Sequence, residues 1–194
     1  MEHRIRQILT LTFVFFISRA PFALTVEGIE VPAQVTQAGN YQKLLLNGAG
    51  VRTKFVFSIY VGALYLAEKK TRLSDILANT GPNRVSMHFL YAEVSKEKLT
   101  SGWNEGFEEN NTEPQMKQLR GRLNDFNKLF KTVVKGDVII LDYLPGKGTS
   151  VSINNHVQGT IPGHDFNQAL LKVWLGEEPA DSDLKDAMLG KIKE

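Results

Sequence analysis

The sequence predicts an α+β domain in which a layer of helices covers one face of a large antiparallel sheet. Segments with the two-residue alternation of strands lie on both sides of a helical stretch at residues 95–131. The chain has no Ser/Gly-rich linker, no low-complexity tract and no repeat of fixed period, which indicates a single domain. Without its N-terminal segment the chain keeps about 170 residues, enough for a sizeable hydrophobic core.

The N-terminal segment has the composition of a secretory signal peptide. A short basic region precedes an apolar core at residues 8–17, and small residues follow it. Arg19 and Pro21 interrupt the segment, which is also too short for a convincing membrane span. We therefore predict a signal peptide at residues 1–23 and one domain at residues 24–194, with a retained membrane anchor as the alternative.

Charge and cysteine content limit the partners and the chemistry of the domain. The leader holds three of the 23 basic residues and one of the 21 acidic residues, so the remaining domain is formally neutral. A neutral domain has no electrostatic footprint for nucleic acid or for an anionic membrane. We therefore predict no nucleic-acid partner and no stable membrane insertion once the leader is cleaved. The chain has no cysteine, which excludes disulfides and thiolate chemistry. Export without cysteine suits a bacterial periplasm, which is the location that we predict.

The first third of the domain predicts strands. A pair of short strands covers residues 26–31 and 41–46. A long run at residues 46–66 follows, and from Lys54 onward its residues are β-branched, aromatic or small. This composition is typical of a strand that is buried on both faces.

Residues 73–91 predict a short helix followed by a strand. The helix occupies residues 73–79 and ends at a Gly-Pro turn within residues 80–83. The strand at residues 84–91 alternates with period two, which places His88 towards solvent or a cleft rather than in the core.

Two central helices are predicted from their N-terminal caps. Ser95 caps a helix that runs to residue 110, and Thr112 opens a second helix that runs to about residue 131. The second helix carries an apolar stripe at helical spacing, which indicates a core seam rather than a cofactor site. The stripe consists of Met116, Leu119, Leu123, Phe126, Leu129 and Phe130.

The last third predicts three strands and two helices. The strands lie at residues 137–144, 149–154 and 156–161. The second and third of them form a hairpin that turns at Asn154-Asn155. A helix that begins at Asp165 or Asn167 ends at Gly176, and a short helix covers residues 181–191.

Sequence motifs for catalysis and for metal binding are absent. There is no nucleophile elbow, phosphate loop or dinucleotide fingerprint, and His88, His156 and His164 are isolated in sequence. The acidic residues are spread along helical faces and do not form a general acid and base pair. We therefore predict no cofactor, no metal and no assignable catalytic residue.

Arg52 is the most informative residue of the domain, because it follows two glycines inside a strongly β-forming run. A guanidinium is always charged and is costly to bury alone, so it requires a carboxylate, carbonyl groups, a ligand or water. The nearest local acids, Glu30 and Glu68, are not placed by sequence spacing to pair with it. The structural alternatives are a distant acid in the fold or exposure at a strand end.

Three motifs give the sequence a resemblance to a known family. They are G-A-G-V-R-x-K with F-x-x-Y-V-G-A-L-Y-L at residues 48–66, G-T-I-P-G at residues 159–163, and A-L-x-x-x-W-L-G at residues 169–176. In these the chain resembles the chalcone isomerase-like family, which includes plant chalcone isomerases, plastid fatty-acid-binding proteins and exported bacterial relatives. The resemblance implies an open-faced β-sandwich with a ligand cleft between the sheet and the helices.

The resemblance also implies roles for individual residues. Arg52 matches the arginine that positions substrate in the enzymes and meets the carboxylate in the fatty-acid binders. Tyr60 stands where isomerases have a threonine, as in the fatty-acid binders, and Asn167 matches a position that selects among substrates. Ser95 and Gly102 replace a catalytic tyrosine and a substrate-contacting asparagine, so the enzymic set is largely missing.

Arg52 and Tyr60 can act together only if the chain bends or bulges between them. In a straight strand the eight intervening steps would place their Cα atoms roughly 26 Å apart. A bend or bulge near residues 53–55 is therefore required.

The leading functional hypothesis is an exported, non-catalytic protein that binds a small amphipathic acid such as a fatty acid. Arg52, Tyr60 and Asn167 are its predicted ligand-binding residues. Candidate contacts for the apolar tail, each equally compatible with ordinary core packing, are Met87, Phe89, Met116, Leu119 and Leu123. The alternatives are an intramolecular lyase or isomerase for a chalcone-like or enone substrate, and a structural envelope protein in which Arg52 is paired in the core.

Overall fold

The computed structural model describes residues 23–37, 39 and 42–191. The strands are β1 (Leu24–Val26), β2 (Ile29–Val31), β3 (Gln34–Thr36), β4 (Lys43–Lys54), β5 (Phe57–Leu66), β6 (Asn83–Phe89), β7 (Glu93–Val94), β8 (Val133–Val134), β9 (Val138–Leu144), β10 (Gly148–Ile153) and β11 (His156–Ile161). The helices are α1 (Leu73–Leu77), α2 (Lys96–Asn110), α3 (Glu113–Lys128), α4 (His164–Leu175) and α5 (Ser182–Met188).

Seven strands form one antiparallel sheet in the order β11-β10-β9-β6-β5-β4-β3. Two short pairs, β1 with β2 and β7 with β8, stand apart from this sheet. The helices pack on one face of the sheet and enclose the main hydrophobic core. The predicted α+β class, with a large antiparallel sheet and a helical layer, is confirmed.

Both faces of β5 are buried. Tyr60 and Leu64 point into the main core beneath the helices. Val61 and Tyr65 point to the opposite face and pack in a second, smaller core that includes Val31 of β2. The predicted burial on both faces is therefore confirmed for this strand, and its lack of charged residues follows from it.

Two glycines allow the helices to approach closely. A Cβ atom at Gly48 in β4 would collide with the backbone carbonyl of Ala187 in α5. A Cβ atom at Gly106 in α2 would lie 2.8 Å from a methyl group of Val173 in α4. Glycine at these positions lets α5 lie directly on β4 and lets α2 cross α4 at short range.

The β-forming run at residues 46–66 is divided between two strands, β4 and β5. The chain reverses at Phe55 and Val56, and β4 and β5 pair as an antiparallel hairpin. The turn was hidden because it contains no Gly, Asn or Pro, and Phe55 adopts a φ of 57° that phenylalanine rarely takes. The prediction of one strand at residues 26–31 is wrong, because Glu27 and Gly28 form a tight turn between β1 and β2.

Most other element predictions are confirmed to within a few residues. Ser95 Oγ accepts a hydrogen bond from the backbone N–H of Lys98 at the start of α2, at 3.3 Å. Thr112 and Gln115 form a capping box at the start of α3, which ends at residue 128 rather than 131. Asn154 and Asn155 form the predicted hairpin turn with φ values of 50° and 64°.

The apolar stripe of α3 is a core seam, as predicted: all its residues are buried except Leu129, which is half-buried.

The small β7–β8 pair was not predicted, because two-residue strands leave no alternation to detect. The predicted leader, except for Ala23, and Tyr41 of the predicted strand at residues 41–46 lie outside the described residues. Within the described part of the chain, no helix has the length and apolar character needed to cross a bilayer.

Candidate functional site

The hairpin brings Arg52 and Tyr60 together. They are directly opposite each other in the β4–β5 register, next to a bulge between Arg52 and Thr53. The Cζ atom of Arg52 lies over the Tyr60 ring, 5.7 Å from its centroid, in the geometry of a cation–π contact. The chain reversal at residues 55–56 therefore meets the condition that the sequence set for these two residues to act together.

The hydroxyl of Tyr60 is held by α4. Trp174 Nε1 donates a hydrogen bond to this hydroxyl at 2.8 Å, and the Tyr60 side chain is buried. Burial raises the pKa of Tyr60 above its usual value, while the nearby Arg52 opposes the rise. The phenol therefore stays neutral at physiological pH and keeps its own proton available to donate.

Two buried hydrogen-bond donors near this pair have no partner among the described residues. They are Nε of Arg52 and Nε1 of Trp103. Both residues line a small inner pocket together with Tyr60. An unpaired buried donor is unfavourable by about 1–3 kcal/mol, so two of them at one site indicate that a ligand or water supplies acceptors there.

Asp181 lies near Arg52, but its carboxylate is hydrogen-bonded to other groups. One carboxylate oxygen of Asp181 accepts from the backbone N–H groups of Asp183 and Leu184, which caps α5. The other oxygen accepts from the backbone N–H of Thr53 at 2.8 Å. Among the described residues no ion pair involves Arg52. Asp181 thus fixes the backbone beside Arg52 without forming a salt bridge with it.

Arg52 lies where two cavities meet. The inner pocket, of about 40 Å³, has room for about one water molecule between the sheet and Trp103. The outer cleft, of about 600 Å³, lies between the β4–β5 hairpin and α2 and has the size of a small-molecule site. Residues that line both cavities are Arg52, Ile59, Val94, Lys98 and Gly102.

The walls of the outer cleft are apolar near the hairpin and charged along α2. Phe55, Phe57, Ile59 and Tyr91 provide the apolar wall. The charged groups are of both signs: Arg52, Lys54 and Lys98 against Glu93, Glu97 and Glu105. This combination suits an amphipathic molecule rather than a purely apolar or strongly charged one.

Lys98 and Gly102 are site residues that sequence reasoning missed or undervalued. They lie one helical turn apart on the same face of α2 and both line the two cavities. A Cβ atom at Gly102 would meet no atom within 4 Å, so the glycine leaves open space above Arg52. Lys98 could have been identified from its sequence spacing, because a residue four positions from Gly102 lies on the same face of a helix.

The structure does not bring Asn167 to Arg52 and Tyr60. The buried side chain of Asn167 exchanges hydrogen bonds with Asn83, at 2.9 and 3.3 Å, and lines neither cavity. Asn83 is the first residue of β6, whereas Phe89, its last residue, pairs with Tyr60. A ligand contact by Asn167 stays a prediction, at a position remote from the cleft.

Only some of the predicted contacts for the apolar tail lie near Arg52. Met87 and Phe89 line the inner pocket beside Tyr60. Met116, Leu119 and Leu123 are buried in the helical core and line neither cavity. Only the strand residues among these candidates are therefore near the Arg52 site.

His88 lies on the other face of the sheet. It is half-buried, lines a separate cleft of about 400 Å³, and has its pKa lowered by burial. This placement agrees with the prediction that His88 faces a cleft rather than the core. Within the described part of the chain, no group of three or more His, Asp or Glu residues could hold a metal ion.

The arrangement supplies hydrogen-bond donors and positive charge rather than a base. Arg52, Lys98 and the neutral phenol of Tyr60 can all donate to one anionic group. The carboxylates of the outer cleft belong to exposed residues on its rim. The site can therefore hold an anionic head group at Arg52 with an apolar body along the hairpin.

Comparison with known proteins gives a family and structural relatives. The crystal structure of a fatty-acid-binding protein of Arabidopsis thaliana matches with a TM-score of 0.65 and 17% identity, over 87% of this chain and 96% of that one. No curated protein matches the sequence. The description of the matching family is chalcone isomerase-like, and the match covers residues 23–190. The chain belongs to the chalcone isomerase-like family.

Proposed function

We propose that this protein is a non-catalytic binder of a small amphipathic carboxylic acid, with fatty acids as the favoured class. The observation that carries the proposal is the Nε donor of Arg52, which is buried without a partner where the 600 Å³ cleft meets the inner pocket. A carboxylate is the planar, bidentate acceptor that a guanidinium matches best.

The head group would be held by three donors on three elements. Arg52 of β4 and Tyr60 of β5 are fixed by the hairpin register, and Lys98 projects from α2 across the cleft. The inner pocket is too small for an alkyl chain. The tail would therefore lie in the outer cleft against Phe55, Phe57 and other apolar residues of its wall.

The name of the structural relative agrees with the proposed ligand class. The Arabidopsis protein with the same fold is named as a fatty-acid-binding protein. At 17% identity the likeness shows the fold alone, so the ligand of this chain is inferred from the Arg52 site itself.

The test is a calorimetric titration of the protein with dodecanoic acid, below its micelle-forming concentration, and with the methyl ester of the same acid. The acid is expected to bind more tightly than the ester, because only the acid presents a carboxylate. Arg52→Gln should weaken binding of the acid by roughly 10- to 100-fold, since a charge-assisted hydrogen bond contributes about 1.5–3 kcal/mol. It should leave the ester unaffected.

Arg120→Gln is the matched control, because Arg120 is exposed on α3 and lines no part of either cavity. It should bind the acid as the unmodified protein does. Equal affinity for the acid and the ester, or loss of binding in both arginine variants alike, would contradict a carboxylate site at Arg52.

An isomerase or lyase acting on an enone is the second candidate. It is favoured by one observation: Arg52 and the neutral phenol of Tyr60 line the same inner pocket, and two donors there can polarise a carbonyl oxygen. Turnover of an enone that is lost in Tyr60→Phe while binding is retained would favour this candidate over the binder.

We also propose that residues 1–23 are a cleaved leader and that the protein works in a bacterial periplasm. The basic region, the apolar core at residues 8–17 and the absence of cysteine support this location. The intact mass of protein from a periplasmic fraction checks it, because cleavage after Ala23 removes a defined mass.

A further inference from the structure

The tip of the β4–β5 hairpin carries three consecutive large apolar side chains in water. Phe55, Val56 and Phe57 are 89%, 84% and 52% exposed. The other exposed large apolar residues of the described chain occur singly: Leu24, Leu45, Val134 and Val157. Single exposed apolar residues are ordinary on protein surfaces, whereas a contiguous group indicates an interaction site.

The turn itself is unfavourable for the residues that form it. Phe55 has a φ of 57°, a region that suits Gly or Asn and disfavours bulky side chains. The β10–β11 hairpin also turns through two residues, and there the positive φ values belong to asparagines, Asn154 and Asn155. Folding therefore does not explain an exposed phenylalanine at this position, and an interaction made by the tip does.

The tip projects beyond the sheet. The ladder of β5 with β6 begins at Tyr60, and the carbonyl of Ile59 still accepts hydrogen bonds from the backbone N–H groups of Leu90 and Tyr91. Phe57 and Ser58 lie beyond this pairing, where the ring of Phe57 packs against the ring of Tyr91 at 5.5 Å. Two residues of strand reach about 7 Å, which is within the depth of about 5–10 Å to which amphipathic elements enter the boundary between lipid head groups and acyl chains.

The shape and the charges of the tip favour a bilayer over a protein partner. A stable protein interface buries about 800 Å² on each side, and two Phe and one Val can supply only about 500 Å². Enlarging the contact would bury the charged residues around the tip, such as Lys54, Glu93 and Glu97. Against a bilayer the same charges remain among hydrated head groups.

We propose that the hairpin tip, residues 55–57, inserts reversibly into the surface of a lipid bilayer. The charges that line the adjacent cleft are balanced in sign, so the bilayer need not be anionic. The insertion is peripheral and does not span the membrane.

Docking of the tip would allow a ligand to pass between the bilayer and the cleft. This inference rests on the proposed function. Phe55 and Phe57 line the outer cleft that leads to Arg52. A docked tip places the mouth of the cleft at the bilayer surface. A fatty acid can then pass between the bilayer and the cleft without exposing its alkyl chain to water.

The test uses Val56, which belongs to the tip but lines neither cavity beside Arg52. In Val56→Trp the new indole reports on its surroundings, while the native Trp103 and Trp174 are buried and give a constant background. With phosphatidylcholine vesicles we expect its emission to shift to shorter wavelength and to be quenched by lipids with brominated chains. High salt should not reverse the effect, since apolar insertion is not screened.

Val157→Trp is the matched control, because Val157 is 69% exposed on β11, four strands away from β5. We expect neither a shift nor quenching from it. Equal quenching of the two indoles, or none in either, would overturn the proposal.

A second pair of variants measures binding rather than contact. Val56→Asp should lower partition into the vesicles at least about tenfold, because it replaces an inserted apolar group with a charge, and Val157→Asp should not. A dimer or larger assembly that Val56→Asp abolishes, without a change in partition, would instead identify the tip as a protein interface.

The docking proposal and the proposed function can be refuted separately. Val56→Asp should bind dodecanoic acid in solution as the unmodified protein does, because Val56 is outside the cleft lining. Loss of vesicle contact with retained acid binding removes only the docking proposal. Vesicle contact without any acid binding removes only the proposed function.

Discussion

Two arginines of this sheet show how the partners of a charge decide its role. Arg84 makes two hydrogen bonds to Asp142, at 2.8 and 2.7 Å, in a largely buried ion pair. Arg52 has a ring face as its neighbour and a buried Nε without a partner among the described residues. The first arrangement stabilises the fold, and the second leaves binding capacity unused.

These arginines should respond differently to the same substitution. Arg84→Gln should destabilise the domain by about 3 kcal/mol, because it leaves the buried Asp142 carboxylate without its cation. Arg52→Gln should change the free energy of unfolding by less than about 1 kcal/mol, since the lost cation–π contact is offset by relief of the unpaired donor. Urea denaturation of both variants measures this difference. Unfolding of Arg52→Gln would support the structural-protein alternative.

Buried tyrosines predict loss of stability in alkali. Burial raises the pKa of Tyr60, and it raises the pKa of Tyr65 to about 12. An unfolded tyrosine releases its proton near pH 10, so above that pH the folded state holds more protons and stability falls. For Tyr65 the loss should reach about 2 kcal/mol by pH 12. Denaturation midpoints between pH 8 and 12 test this, and Tyr65→Phe should make the decline shallower.

At the residue scale the sequence predicts the anchor of the site but not its surroundings. Arg52 could be identified because a permanent charge in an apolar run requires a partner. Its contact with Tyr60 depends on strand register, which an unusual turn sets. The unpaired Nε1 of Trp103 could not be foreseen, because hydrogen-bond satisfaction is a property of packing rather than of the residue type.

At the element scale, α2 forms one wall of the cleft, and Gly102 in the middle of this helix leaves room for the cavity. Gly102 keeps the helix surface low above Arg52, although glycine weakens a helix interior by about 1 kcal/mol relative to alanine. A residue that weakens its own element and borders a cavity is a sign of a binding surface.

Gly102→Leu should separate binding from stability. The new side chain meets no protein atom at its Cβ position, so the helix should gain about 0.5 kcal/mol of stability from improved propensity. The same side chain enters the space that both cavities share and should weaken fatty-acid binding at least about tenfold. Thermal melting and calorimetric titration of one variant measure both effects.

Gly121→Leu is the control for this substitution. Gly121 is also helical, in α3, where a Cβ atom would meet no atom within 4 Å, and it lines neither cavity. It should gain stability and keep its affinity. Retained affinity in Gly102→Leu would place the ligand outside the shared space.

The elements that were predicted well have local signals, and those that were missed do not. The caps at Ser95 and Thr112 and the asparagine turn at residues 154–155 are set by side chains that bond their own backbone. The turn at Phe55 has no such signal. It forms because β4 and β5 each find buried partners on neighbouring elements, which overrides local preference.

At the scale of the whole molecule, the sequence predicts the layers but not the cavities. Alternation and apolar stripes are sufficient to place helices on one face of an antiparallel sheet. The size of the cavities depends on how large side chains fill the space between layers. Trp103 packs edge to face with Trp174 and with Phe126 beneath α2, which reduces the inner pocket to about 40 Å³.

The seating of α5 on β4 determines when the protein becomes able to bind. The cap residue Asp181 holds the backbone next to Arg52, and Trp174 holds the hydroxyl of Tyr60, so both strands are supported by residues more than 110 positions later in the chain. A chain still emerging from the ribosome has its arginine and tyrosine but not the supports that orient them. The geometry of the Arg52 site is therefore complete only when the chain has been synthesised and folded as far as α5.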